Sequence, residues 1–241
     1  MTSAIEPVQG EFLTKDFKTE SGVVLPETRI TYGTYGTYGQ PNAAGDNAVL
    51  LPSSYMAKFQ GYQWLIGPGK ALDPSKLFVV SAEMFGNGRS SSPSNPPEPL
   101  YGPRFPVTTI RDNVEAEHQL LTESLHVHHL RAVIGFSTGA QQAFQWAVSH
   151  PEFIDGIVAT SGMAKTYGHG IVQLEGQIAA LTAAENFKGG DYNALPERGL
   201  PAFGKVWTGW LLSQEWWRRE LWRDPAIPDL TFEQVMGRFV S

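Results

Sequence analysis

Eight residues, AVIGFSTG at 132–139, constrain this chain more than any other stretch. An apolar, β-leaning run through Leu130, Val133 and Ile134 leads into Gly135-Phe136-Ser137-Thr138-Gly139. Behind it, Ala140, Ala143, Phe144, Ala147 and Val148 keep the i, i+3, i+4, i+7, i+8 spacing of a helix buried on one face. Strand, G-x-S-x-G, helix is the context of a nucleophile elbow. A turn this tight puts Ser137 in a strained backbone conformation and brings strand and helix too close for β-carbons at Gly135 and Gly139. The hydroxyl is thereby pushed out at the carboxyl end of the strand, beside the positive end of the next helix. The competing reading is a serine that merely N-caps the helix after a glycine turn. The switch from strand period to helix period favours the elbow.

The rest of the chain supplies a matching frame. Residues 11–39 read as a β-hairpin carrying Phe12, Phe17 and Val23–Leu25, with Glu20-Ser21-Gly22 as a turn. The tripeptide repeat TYGTYGTYG at 31–39 is too short for a solenoid and reads as a strand end entering a glycine-rich loop. Asn47–Leu51 and Lys76–Ala82 are short buried strands, and Ile154–Ala159 is one more. Thr109–Leu125 has helical spacing through Val114, Leu121 and Leu125. Between them, Gly86–Pro106 holds six prolines and reads as a surface loop. After Ser161 the pattern predicts helix over 170–185, a Gly- and Pro-rich stretch over 188–201, and a tryptophan-dense helix over 206–223.

Alternating strands and helices up to residue 160 predict an α/β fold with a doubly wound, mostly parallel sheet. We expect residues 1–162 to form the core. Residues 163–241 are expected to form a helical cap over the carboxyl edge of the sheet, where such folds hold their ligands.

Composition removes several classes of function. The formal net charge is −6, with 18 Lys and Arg against 24 Asp and Glu, and no basic run exceeds Arg218-Arg219. That balance argues against a nucleic acid partner. The absence of cysteine excludes disulfides, thiolate chemistry and cysteine-based zinc sites. The start, MTSAIEPVQGEF, lacks the basic and apolar regions of a signal peptide, and no apolar run approaches membrane-spanning length. A cytoplasmic protein without a membrane partner is expected.

Other motifs fail on inspection. Gly67-Pro68-Gly69-Lys70 suggests a phosphate loop, but the motif needs Gly at 64 and Ser or Thr at 71, where the chain has Trp64 and Ala71. Gly86-Asn87-Gly88 lacks the third glycine of a dinucleotide fingerprint. His126, His128 and His129 sit in a short connection without a carboxylate pattern, so they read as a solvated turn and not as a metal site. Trp207, Trp210, Trp216, Trp217 and Trp222 place five of seven tryptophans within sixteen residues. Because Glu215, Glu220 and Asp224 balance Arg218, Arg219 and Arg223, this stretch reads as a cap helix packed on a cleft or a second subunit, not as a membrane helix.

Acyl transfer at Ser137 would need donors for a developing oxyanion. The usual pair is the N–H after the nucleophile and one from the loop after the third strand. Here these are Thr138 and a residue of Ser53–Met56, with Tyr55 the first choice. Arg89, in a loop near the cleft, is a candidate substrate contact.

The blocks DNAVLLPSSY, GPGKALDPSKLFVVSAEMFGNGRSSSP, FPVTTIRDNV and VIGFSTGAQQAFQWAVSHPEFIDGIVATSG resemble the homoserine O-acetyltransferase-like branch of the α/β-hydrolase fold. The likeness runs from about residue 12 and weakens in the cap. It implies a covalent acyl-enzyme on Ser137, small-molecule acyl donor and acceptor, and acetyl-CoA as co-substrate with no bound cofactor. The tryptophan-rich cap is the expected surface of a homodimer, and no metal is expected. Many relatives of this branch look like hydrolases that use water as acceptor. The chain departs from the strict acetyltransferase pattern at GFSTGAQQ, where those enzymes carry GSMGGMQ, and at FGNGRSSSP, where they carry a GGxRGSTGP-like run.

The activating base is the gap in this reading. In the fold, the acid and then the histidine follow the serine along the chain. After Ser137 only His150 and His169 remain; His150 ends the elbow helix, and His169 precedes Asp191, Asp224 and Asp229. The resemblance implies further strands carrying both groups, so the expectation is a C-terminally truncated chain with little turnover alone and an open edge at the 154–159 strand. The alternative is a noncatalytic binding or assembly module that uses the tryptophan-rich cap as its interface.

Overall fold

The computed structural model describes residues 5–39, 47–55, 57–96, 98–223, 231 and 234. Met56, Asp224 and Asp229, named above, lie outside the described residues. The chain separates into two compact units, Met1–Ala164 and Lys165–Ser241.

The first unit is a six-stranded sheet in the order β1-β2-β4-β3-β5-β6. Strands β1 (Val8–Lys18) and β2 (Val24–Tyr35) form the expected hairpin, and β2 runs antiparallel to β4 (Phe78–Ala82). From β4 onward, β3 (Ala48–Pro52), β5 (Ala132–Phe136) and β6 (Ile157–Thr160) are all parallel. A mixed, mostly parallel sheet is therefore present, with β6 at the end of the described order.

Both faces of the central strands are covered, so β3 (AVLLP) is buried at every position. Ala48 and Leu50 face one core with Ile30, Val80, Val114, Leu120, Val133 and Trp146. Val49 and Leu51 face the other with Tyr35, Tyr62, Ile66, Leu72 and Val79. This period-two split is why the strand reads as an unbroken apolar run.

Helix α1 (Ile110–Gln119) starts at a capping box in which Thr109 and Asp112 satisfy each other's backbone N–H groups. The helical spacing seen to Leu125 continues past α1 as one π-turn over Leu120–Ser124. Helix α2 (Thr138–Ser149) buries Gly139, Ala140, Gln142, Ala143 and Trp146. That face differs from the apolar stripe: Val148 is exposed, while Gln142 and Trp146 turn inward because each has a polar partner there. The Gln142 amide donates to the Ser53 carbonyl at 2.9 Å, and the Trp146 indole donates to Glu117 Oε2 at 2.8 Å.

The last strand and the proline-rich loop differ in detail from the sequence reading. Strand β6 starts at Ile157, and Ile154 makes only an isolated bridge to Leu130. Among its described residues the 86–106 segment contains no strand, only a short 3-10 turn at Gly102–Arg104, yet its serines are built into the core edge. Ser90 and Ser91 accept the backbone N–H groups of Thr31 and Arg29, and both serines are buried.

In the second unit, α3 (Gly168–Thr182) packs against α4 (Gly199–Leu211), and α5 (Gln214–Arg218) follows. Helix α4 begins inside the stretch expected to be irregular. Pro201 falls in its first turn, where a missing N–H costs nothing. The tryptophan-dense stretch is two helices, because Ser213 caps α5 and breaks the run.

Candidate active site

Ser137 sits between β5 and α2 with φ 57° and ψ −120°. A non-glycine residue in that region stores about 1–3 kcal/mol of strain and persists only when its surroundings impose it. Here they do. A Cβ at Gly135 would overlap the Gly139 carbonyl, and one at Gly139 would overlap the Pro52 carbonyl. A third glycine, Gly162 beyond β6, lets Ser137 O approach to 2.5 Å of where its own Cβ would stand. The Ser137 N–H is held by Thr160 O at 2.9 Å, and its carbonyl takes the first bond of α2 from Ala140 at 3.0 Å.

The side chain is treated differently from the backbone. Ser137 makes no side-chain cap to α2, so the N-cap reading fails. Thr138, the first residue of α2, carries one of the N–H groups that helix geometry leaves without an internal acceptor.

The loop after β3 is anchored at its first residue. Ser53 N donates to Ala82 O at 2.9 Å, Met84 N donates to Ser53 Oγ at 3.0 Å, and Gln142 holds its carbonyl. The Ser53 N–H is thus spent, which narrows the Ser53–Met56 candidates, and Tyr55 stays among them. Tyr62, at 5% exposure, joins this loop to the elbow: its hydroxyl donates to Pro52 O at 2.9 Å and accepts from Phe136 N at 3.0 Å. No sequence reading finds Tyr62, because nothing local in FQGYQWL marks it. Beside it lies a cavity of about 370 Å³ lined by Ser54, Ala57, Gly61, Tyr62, Trp64 and Phe136.

Arg89 is engaged within the protein. Its Nε lies 3.5 Å from Oε2 of Glu83, a fully buried carboxylate, and its guanidinium stacks 5.3 Å above Phe59. Glu83 also accepts from Phe59 N and Asn87 Nδ2.

Hydrogen bonds among the described residues connect no histidine to Ser137. His118 and His150 stack face to face with centroids 4.1 Å apart, His129 holds Asp155 at 2.8 Å, and His169 meets Trp210 edge-on. Among the described residues no cluster of three His, Asp or Glu is placed to hold a metal, and no helix is long and apolar enough to cross a membrane.

The sharp turn, its three glycines and the uncapped serine on a parallel sheet match a known family. The description of the α/β hydrolase fold fits residues 48–186, over half of the chain. The chain belongs to the α/β-hydrolase fold family. Within it, ethyl acetate hydrolase of Pseudomonas veronii is 37% identical over 196 residues, 79% of this chain and 55% of that protein. Homoserine O-acetyltransferase of Nautilia profundicola is 34% identical, over 94% of this chain and 66% of that enzyme. The solved structure of the acetyl esterase MekB superposes with a TM-score of 0.89 at 32% identity, covering 98% of this chain and 69% of that one. This α/β hydrolase therefore has both esterases and homoserine O-acetyltransferases as relatives. The chain spans a little over half the length of the Pseudomonas relative.

Proposed function

We propose that this α/β hydrolase transfers small acyl groups through an ester on Ser137. The observation that carries the reading is the backbone of Ser137, φ 57° and ψ −120°, held at the head of α2 with its hydroxyl unspent on capping. Strain of that kind is retained where it presents a reacting group.

In this reading Ser137 Oγ attacks the acyl carbonyl while its proton passes to a base. The Thr138 N–H and the loop at Tyr55 receive the oxyanion, and the bond to the alcohol or thiol of the donor breaks. A hydroxyl then attacks the acyl-enzyme and restores Ser137. Water as that hydroxyl gives an esterase; an alcohol such as homoserine, with acetyl-CoA as donor, gives an acetyltransferase. The esterase outcome is favoured by the names of the Pseudomonas relative and the MekB structure. The base is assigned outside the six histidines of this chain, none of which is bonded to Ser137. The helical unit is assigned as the cap and as a homodimer surface, the location as cytoplasmic, and Arg89 as a prop for the cleft wall through Glu83.

The test is acetylation by an activated acetyl ester with free imidazole supplied as base, followed by peptide mass mapping. We expect an acetyl adduct on the Ser137 peptide that decays in water and is absent from Ser137→Ala. An unmodified Ser137 peptide, or equal acetylation of Ser137→Ala, would contradict the reading. A decay that homoserine accelerates would select the transferase.

A further inference from the structure

We infer that Tyr62 is a positioning residue that sets the distance between the two halves of the oxyanion site. The inference rests on the Ser137 reading above. The two donors of such a site come from separate chain segments, the elbow after β5 and the loop after β3. Their spacing decides whether both reach one oxygen, and a misplacement of about 1 Å can cost roughly a hundredfold in rate.

The sheet itself does not hold that spacing. Pairing between β3 and β5 consists of Val49 with Ala132 and Leu50 with Val133. It stops three residues short of Phe136, and β3 continues to Pro52 in register only with β4. Beyond that point the Tyr62 hydroxyl replaces the ladder. It accepts from Phe136 N on the β5 side and donates to Pro52 O on the β3 side, 3.0 and 2.9 Å respectively. One oxygen thus bridges the residue before Ser137 and the residue before the loop.

The bridge is built tightly. A Cβ at Gly139 would lie 2.9 Å from this hydroxyl as well as overlapping Pro52 O, so elbow, loop and phenol close on a single point. Burial raises the phenol pKa, which keeps the proton it donates to Pro52. The element carrying Tyr62 is itself fixed elsewhere: Ser81 Oγ donates to Phe59 O at 2.9 Å, and Phe59 N donates to Glu83. The segment that carries Tyr62 is thus held at Phe59 by two bonds besides the bridge.

The experiment compares Tyr62→Phe and Ser81→Ala with the parent. Two readouts are taken: inactivation of Ser137 by a small fluorophosphonate at fixed imidazole, and hydrogen exchange at the Phe136 amide. Tyr62→Phe should lower the limiting inactivation rate by about tenfold or more with little change in the half-saturating concentration, and should speed Phe136 exchange about tenfold without affecting Val133. Ser81→Ala removes one anchor of the segment and a long 3.4 Å contact to Leu51 O, but leaves the Phe59–Glu83 bond and both Tyr62 bonds in place; it should lose melting temperature but keep the inactivation rate. A folded Tyr62→Phe with parental inactivation would overturn the inference, as would an equal loss in Ser81→Ala or a Tyr62→Phe chain that does not fold, since either reduces Tyr62 to stability alone. If the parent itself is not labelled, the Ser137 reading fails; slow, unchanged Phe136 exchange in Tyr62→Phe would separately show that the bridge sets nothing.

Discussion

The Trp146 indole donates to Glu117 Oε2 at 2.8 Å, joining α2 to α1 between two side chains that are both fully buried. The other carboxyl oxygen of Glu117 has no hydrogen-bond partner among the described residues. Desolvation raises this carboxyl from its ordinary 4.5 to about 8, against the smaller lowering effect of the indole bond. The folded state thus keeps a proton that the unfolded chain releases near its ordinary value. Between those two values the unfolded chain binds fewer protons, so stability falls as pH rises from about 4.5 to about 8. The slope is at most about 1.4 kcal/mol per pH unit. Glu117→Gln should flatten it, as read by urea midpoints across that window; an unchanged slope would place the titration elsewhere.

The neighbouring histidine pulls the other way. Burial lowers the pKa of His118, the charge of His150 stacked on it lowers it further, and Glu115 opposes both. The folded state therefore takes up the His118 proton at lower pH than the unfolded chain, which takes it below about 6.5. Stability should decline as pH drops through that value. His118→Phe keeps the ring between Trp146 and Phe153 and should lessen the acid-side decline, measured by melting temperature at about pH 5 against about pH 7.

Glycine at 139 is a steric requirement. Gly139→Ala drives a methyl group into the Pro52 carbonyl and should cost about 2 kcal/mol or more in urea unfolding. At Gly156 no atom of the described residues beyond its chain neighbours lies within 4 Å of an added Cβ. Gly156→Ala should stay within about 0.5 kcal/mol of the parent. Equal effects at both positions would contradict the tight elbow.

Arg89 offers a contrast between prop and substrate contact. Arg89→Ala leaves Glu83 buried with only its two hydrogen bonds and should cost about 1–2 kcal/mol of stability. Chemical denaturation reads this directly. Parental stability would show that the pair contributes nothing to the fold.

What the sequence made legible was whatever leaves a local mark. The elbow was visible because two glycines, a serine and a change of period fall within a few residues. The hairpin and β3, β4 and β5 were visible as apolar runs between turns. Gln142 and Trp146 were not, because a polar-tipped residue turns inward only when a distant partner satisfies it, here Ser53 O and Glu117. The start of helix α4 leaves no mark in the sequence, because glycine and proline disfavour helix interiors but are tolerated in a first turn. Tyr62 acts across 74 residues, from itself to Phe136, and no local pattern could reveal it.

The most direct test of the central claim is fluorophosphonate labelling of the chain with and without free imidazole, mapped by peptide mass. The account predicts labelling at Ser137 that rises with the concentration of unprotonated imidazole, exceeds that of every other serine and vanishes in Ser137→Ala. Labelling spread over exposed serines, or none at Ser137 at any imidazole concentration, would contradict it.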